Sequence, residues 1–120
     1  GYKSDFIQSF LNIINNAIDA LTEVDKKKRY IFIEIKSNVK SSMEISIKDS
    51  AGGVSTEIID KIFESYFTTK NTSGGTGIGL FMTKEMIEKH MLGKLEVQNV
   101  TYKYEGNSYS GAQFIITLPL

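Results

Sequence analysis

Residues 43–53 read Met-Glu-Ile-Ser-Ile-Lys-Asp-Ser-Ala-Gly-Gly. Met43, Ile45 and Ile47 alternate with Glu44, Ser46 and Lys48, the period-two pattern of a strand with one buried face. Asp49 keeps the parity of the three apolar residues, so it points toward the core side. A carboxylate there must find donors or shift its pKa. The small residues that follow let a ligand lie close to the backbone. A buried carboxylate beside such a turn can recognise an exocyclic amine and a ring nitrogen, as in adenine. An ordinary turn acid capping a helix at Ser55 fits the same residues.

Working upstream, Ile31, Ile33 and Ile35 alternate with Phe32, Glu34 and Lys36. With a turn over 38–42 this predicts an antiparallel hairpin with one buried face. Asp25-Lys26-Lys27-Lys28-Arg29 reads as a solvated connection. Before it, residues 5–23 have helical periodicity. At roughly 100° per residue, with Gln8 at zero, Phe6, Ile7, Phe10, Leu11, Ile14, Ala17, Ile18 and Leu21 fall between about 140 and 300°. Gln8, Asn12, Asn16 and Asp19 form a narrow amide-and-carboxylate stripe beside that face.

Downstream, Ser55 or Thr56 caps a short helix over 57–63. Residues 68–77 are polar and rich in Gly and Thr, a loop. Gly77 or Gly79 opens a third helix through Met91, and Gly93 ends it. Leu95, Val97 and Asn99 mark one strand; Ala112, Phe114, Ile116 and Leu118 mark another, with a long Tyr/Gly/Asn/Ser hairpin loop between. The order of helix, two strands, helix, loop, helix and two strands predicts an α+β two-layer sandwich with helices on one sheet face.

The chain has 120 residues, enough for one domain. Fourteen Lys+Arg balance fourteen Asp+Glu, which argues against a general nucleic-acid or membrane-surface binder. Cysteine is absent and His90 is the one histidine, so disulfide, thiolate and structural zinc chemistry are not expected. No apolar run approaches the roughly 20 residues of a membrane span.

Three further constellations could carry chemistry. Asn12 and Asn16, four apart, share a helix face, and an amide oxygen suits Mg²⁺; two surface amides are the plain alternative. Gly75-Thr76-Gly77-Ile78-Gly79-Leu80 opens a helix, where free N–H groups suit phosphate. It is neither the Rossmann spacing nor a Walker A, and a flexible connector is the alternative. An aromatic segment, residues 61–70, runs into Thr68-Thr69-Lys70 and could bring a cation to phosphate from a core-anchored loop.

In this order the pieces resemble the catalytic ATP-binding domain of sensor histidine kinases, in the group that includes DNA gyrase B, heat-shock protein 90 and the mismatch-repair ATPases. Residues 8–20 (QSFLNIINNAIDA) resemble the N box, 49–53 (DSAGG) the G1 box, 62–70 (IFESYFTTK) the F box and 75–80 (GTGIGL) the G2 box. Residues 111–119 (GAQFIITLP) resemble the last strand. The resemblance implies the Bergerat-type ATP-binding fold, a mixed, mostly antiparallel sheet with helices on one face. It implies ATP and Mg²⁺ as cofactors, with Asn16 as the metal ligand and Asn12 near the phosphates. Asp49 would bond the adenine amine, Gly53 would hinge the loop, and Phe63 and Phe67 would seat the lid. Gly75, Thr76, Gly77, Ile78, Gly79 and Leu80 would present the phosphate-binding turn, and Lys70 would reach the γ-phosphate.

The chain departs from the pattern in places. Ala51 stands at the first G1 glycine, tolerable if its backbone stays at negative φ. Asp19 stands where many relatives carry Lys or Arg, so it would act through water or the metal. The lid between Lys70 and Gly75 has four residues, 71–74. Only residues 1–4 precede the N box, the expectation being an N-terminally truncated fragment of a larger kinase that lacks an edge strand.

Relatives that hydrolyse ATP carry a glutamate base where Asn12 stands, and Asn cannot accept a proton at neutral pH. The resemblance therefore implies slow hydrolysis and transfer to an external acceptor. That acceptor is a histidine on a separate dimerisation domain of the same parent; a response regulator is the next partner. His90 reads as a packing or helix-end residue. The implied location is cytoplasmic, with no nucleic-acid partner and no direct membrane contact. A serine kinase of the same group acting on a sigma-factor regulator, and a regulatory module without nucleotide, are the alternatives.

Overall fold

A computed structural model describes residues 2–38, 41–65 and 79–119. Helix α1 spans Tyr2–Leu21. Ser9, Ile13, Ala17 and Leu21 are its buried line, whereas Ile7, Leu11 and Ile18 are half-exposed. The core face is thus rotated by about 60°, at 100° per residue, toward the amide stripe. The apolar arc of the sequence is wider than the surface the sheet can cover. The chain leaves α1 through a 3-10 turn, Lys26–Lys28. Arg29 folds back to donate to the Val24 carbonyl (2.7 Å) and the Thr22 carbonyl (3.1 Å). It thereby ties down the connection that follows the helix.

Strands β1 (Ile31–Asn38), β2 (Ser42–Asp49), β3 (Lys94–Tyr104) and β4 (Asn107–Pro119) form one sheet in the order β1-β2-β4-β3. All three pairings are antiparallel. The register sets Ile47 against Phe114 and Ile45 against Ile116; on the other side of β4, Leu95 opposes Ile116 and Val97 opposes Phe114. These residues make the sheet side of the core. β1 does not share fully in it. Ile33 and Ile35 sit opposite Ile47 and Ile45 but are 48% and 63% exposed. The helix layer rests on β2 and β3 and does not reach the edge strand, so the expected buried face of the hairpin is buried on β2 alone.

Two helical expectations change. Over 57–63 there is a turn and a 3-10 helix, Ile59–Lys61. Ser55 does not cap it: its Oγ accepts from the Glu57 amide at 3.3 Å in a turn two residues long, and the 3-10 helix starts after Ile58 with no side-chain cap. The Ile59 amide still bonds four residues back to the Ser55 carbonyl, but the Lys61–Ile58 and Glu64–Lys61 bonds span three, and Ile62 lies in the core. The third helix begins as α2, Gly79–Glu85, and continues as a π segment, Met86–His90. The residue that turns left-handed at its end is Leu92 (φ 55), not Gly93. Gly93 is glycine for another reason: a Cβ there would land on the Thr117 carbonyl oxygen and 2.8 Å from Leu118 Cδ2. No helix among the described residues is long and apolar enough to cross a membrane.

Candidate functional site

Asp49 ends β2 on the helix-facing side and is 3% exposed. Its Oδ1 accepts from the Ala51 amide at 3.0 Å and the Ala112 amide at 3.1 Å. The first bond closes a turn onto the residue two along; the second ties the carboxylate to β4. Burial pushes the Asp49 pKa up, and the two amides oppose it without cancelling it. The loop behind is fixed at every step. Ser50 Oγ donates to the Lys28 carbonyl (2.6 Å) and accepts from the Tyr30 amide (2.9 Å). The Gly52 amide donates to the Ser110 carbonyl at 2.9 Å. Gly52 (φ 95) and Gly53 (φ 87) take the left-handed conformations, and Ala51 does not. The alanine therefore stands where the backbone does not require glycine.

Gly111 on β4 makes this arrangement possible. A Cβ there would land on the Asp49 carbonyl oxygen and 2.7 Å from Oδ1. Its place in the last-strand motif was legible in the sequence, but that it borders the carboxylate was not. Asn99, Tyr102 and Thr83 are likewise contacts that the sequence did not assign. Thr83 is fully buried. Its hydroxyl donates to the Gly79 carbonyl (2.7 Å) and accepts from Asn12 Nδ2 (3.0 Å). Gln8 donates to Asn12 Oδ1 at 3.1 Å. The amide stripe of α1 is thereby stitched to the first turn of α2.

Asn16 is half-buried on the same stripe and makes no side-chain hydrogen bond among the described residues. Asp19 is exposed. Gly79 has open space where a Cβ would go and no left-handed backbone, so the protein itself does not demand glycine there. Phe63 lies edge-on to Phe114, centroids 6.2 Å apart, with Lys84 Nζ 5.0 Å from its centroid. Lys84 also bonds Glu88 (3.0 Å) and the Leu95 carbonyl (3.1 Å), while Glu88 accepts from the Leu95 amide (3.2 Å). Burial raises the Glu88 pKa, but Lys84 and that amide outweigh it and hold it low. This group sews the α2–π helix to β3. His90 Nδ1 lies 3.6 Å from Asp5 Oδ2 at the helix end. Phe67, Lys70, Gly75, Thr76, Gly77 and Ile78, with the lid over 71–74, lie outside the described residues.

The fold, an antiparallel four-stranded sheet with its helices on one face, is that of histidine kinase catalytic domains. The nucleotide-free catalytic domain of histidine kinase ThkA aligns over 97% of this chain and 66% of its own, with a TM-score of 0.74 at 28% identity. The mycobacterial sensor histidine kinase MprB shares the fold with a TM-score of 0.77 at 21% identity, covering 99% of this chain and 74% of that one. Residues 1–120 match the histidine kinase-, DNA gyrase B- and HSP90-like ATPase family, and the chain belongs to it. It is 34% identical over 113 residues to the sensor histidine kinase ZraS of Salmonella typhimurium, covering 94% of this chain and 21% of that protein. It is 33% identical over 113 residues to sporulation kinase E of Bacillus subtilis, covering 94% and 13%. The chain thus spans about a fifth or less of the length of these relatives.

Proposed function

We propose that this chain is the single ATP-binding catalytic domain of a sensor histidine kinase. It would pass the γ-phosphoryl of ATP to a histidine on a separate dimerisation domain, and from there to a response regulator. The observation that carries the reading is Asp49. Two backbone amides hold Oδ1, and no described residue bonds Oδ2, which can accept from the exocyclic amine of adenine. A carboxylate that is buried, oriented and raised in pKa beside a backbone-accessible turn is the kind of group that recognises a ligand.

The donor set fits Mg²⁺: Asn16 offers a half-buried amide oxygen without a protein partner among the described residues, and Mg²⁺ favours oxygen ligands shared with phosphate. When bound, the ion supplies neutralisation of charge on the transferring phosphoryl group. The chain's own residues do the positioning. Asp49 fixes the base, and the backbone of Gly75, Thr76, Gly77, Ile78, Gly79 and Leu80 holds the phosphates. By the family resemblance Lys70 would reach the γ-phosphate, Phe63 and Phe67 would seat the lid, and Asp19 would act through water or the metal. Asn12 is committed to Thr83 and takes no proton, so water is not activated. The attacking imidazole nitrogen then forms the new P–N bond as the bond to the bridging oxygen breaks and ADP leaves.

Transfer in trans tests this. The chain is incubated with Mg²⁺ and γ-labelled ATP, alone and with the parent's dimerisation domain. The expected result is no label on the chain alone, slow phosphate release, and acid-labile label on the added domain. Acid-stable label, or fast phosphate release by the chain alone, contradicts the reading. Gly79→Ala separates fold from function at the phosphate end. With open space and an ordinary backbone, the alanine should stabilise by about 0.4–1 kcal/mol. Binding of ADP with Mg²⁺ should nevertheless weaken by about tenfold, one lost amide approach being of the order of 1.4 kcal/mol. Calorimetry beside a thermal melt reads both.

A further inference from the structure

We propose that Asn99 is a positioning residue that sets the adenine-binding loop, holding it in register with Asp49. The inference rests on the nucleotide reading above. Asn99 lies on β3 opposite Ala112, whose amide binds the Asp49 carboxylate. Its side chain reaches across to residue 54 and takes both backbone groups. Oδ1 accepts from the Val54 amide at 2.7 Å, and Nδ2 donates to the Val54 carbonyl at 2.7 Å. A carboxamide has the donor and acceptor of a peptide group, so Asn99 acts as one rung of a ladder that the sheet does not extend. Both bonds are short for N–H···O.

Gly53 is fitted to this clamp. Besides its left-handed φ, a Cβ there would stand 2.8 Å from Asn99 Oδ1 and 3.2 Å from Cγ. The glycine assigned as a loop hinge is therefore the seat on which the Asn99 amide rests. Tyr102, one turn of the ladder along β3 and on the opposite sheet face, holds the other end of the loop. Its hydroxyl donates to the Asp49 carbonyl at 2.6 Å, and Lys48 Nζ sits 4.2 Å from its ring centroid. Burial first, then the Asp49 charge, pushes the Tyr102 phenol up to about 12, so it remains a donor. β3 thus grips residues 49 and 54, and the carboxylate and the turn that follows it cannot move independently.

The test uses Asn99→Leu, which keeps the shape and removes both bonds, and Asn99→Asp, which keeps the acceptor and removes the donor. Titrations of ADP, AMP and GDP with Mg²⁺ are read beside hydrogen exchange at the Val54 amide. Asn99→Leu should bind ADP about tenfold more weakly, the order of two lost neutral hydrogen bonds. AMP should lose the same factor, because the defect lies at the base and not at the phosphates. The preference for ADP over GDP should narrow, and Val54 exchange should quicken. Asn99→Asp should fall between it and the parent, and it carries the test if Asn99→Leu does not fold. Unchanged ADP affinity with a deprotected Val54 overturns the inference while leaving the nucleotide reading intact. A parent chain that binds no ADP overturns both.

Discussion

Asp49→Asn should melt at or above the parent and bind ADP about a hundredfold more weakly. The carboxamide oxygen can still accept from Ala51 and Ala112, so the turn and the tie to β4 survive. The charge, which burial disfavours, is gone. What changes is the second atom: an acceptor becomes an NH₂ donor facing the donor of adenine. A charged hydrogen bond contributes about 1.5–3 kcal/mol, and 1.4 kcal/mol is a factor of ten. The pH dependence follows with two opposite signs. The folded pKa of Asp49 is raised, so its contribution to stability is full below the unfolded-state pKa and is lost as pH rises through the folded one. Affinity runs the other way, falling as pH drops through the folded pKa, because the amine needs an ionised acceptor. In Asp49→Asn both dependences attributable to this group should vanish. Melts and calorimetric titrations across that range read them separately.

Gly111→Ala should be the most damaging single methyl among the described glycines. The added carbon meets backbone, the Asp49 carbonyl, and not the far end of a side chain that could swing aside. Overpacking of this kind costs about 3 kcal/mol, the upper end of the usual range, or a drop of about 10 °C in melting temperature for a chain of this size. Affinity for ADP should fall with it, since β4 must part from the residue that holds the base. Gly106, at φ 83 with nothing near its Cβ position, is the control. Gly106→Ala should cost about 1 kcal/mol from backbone strain alone and leave binding unchanged.

Much of this was legible because alternation and helical period are local. The strand parity that aimed Asp49 inward is a property of seven residues, and the structure buries Ile45, Ile47 and Asp49, with Met43 partly buried at the start of the row. The amide stripe was legible for the same reason. What the sequence did not show depends on who lies across the sheet. Ile33 and Ile35 have the alternation of a buried strand but occupy an edge beyond the helices. Ile7, Leu11 and Ile18 belong to the apolar arc of α1 and yet face outward, because the arc is wider than its contact. Gly93 looked like a helix stop, but it serves the close approach of β4 and leaves the left-handed turn to Leu92. The roles of Asn99, Tyr102 and Gly111 required knowing that β3 and β4 flank the loop, which pairing across long separations decides.

One spectrum tests the shared pocket most directly. The backbone and side-chain amides of the chain are followed by NMR as ADP is added, with Mn²⁺ standing in for Mg²⁺. The account predicts shifts at Ala51, Gly52 and Ala112 on adding ADP, and loss of the Asn16 side-chain amide signal only when Mn²⁺ and ADP are both present. Shifts confined to a different surface, such as the cleft of about 380 Å³ between Lys27, Lys28 and Tyr109, would contradict it, as would an Asn16 signal that Mn²⁺ and ADP together leave untouched.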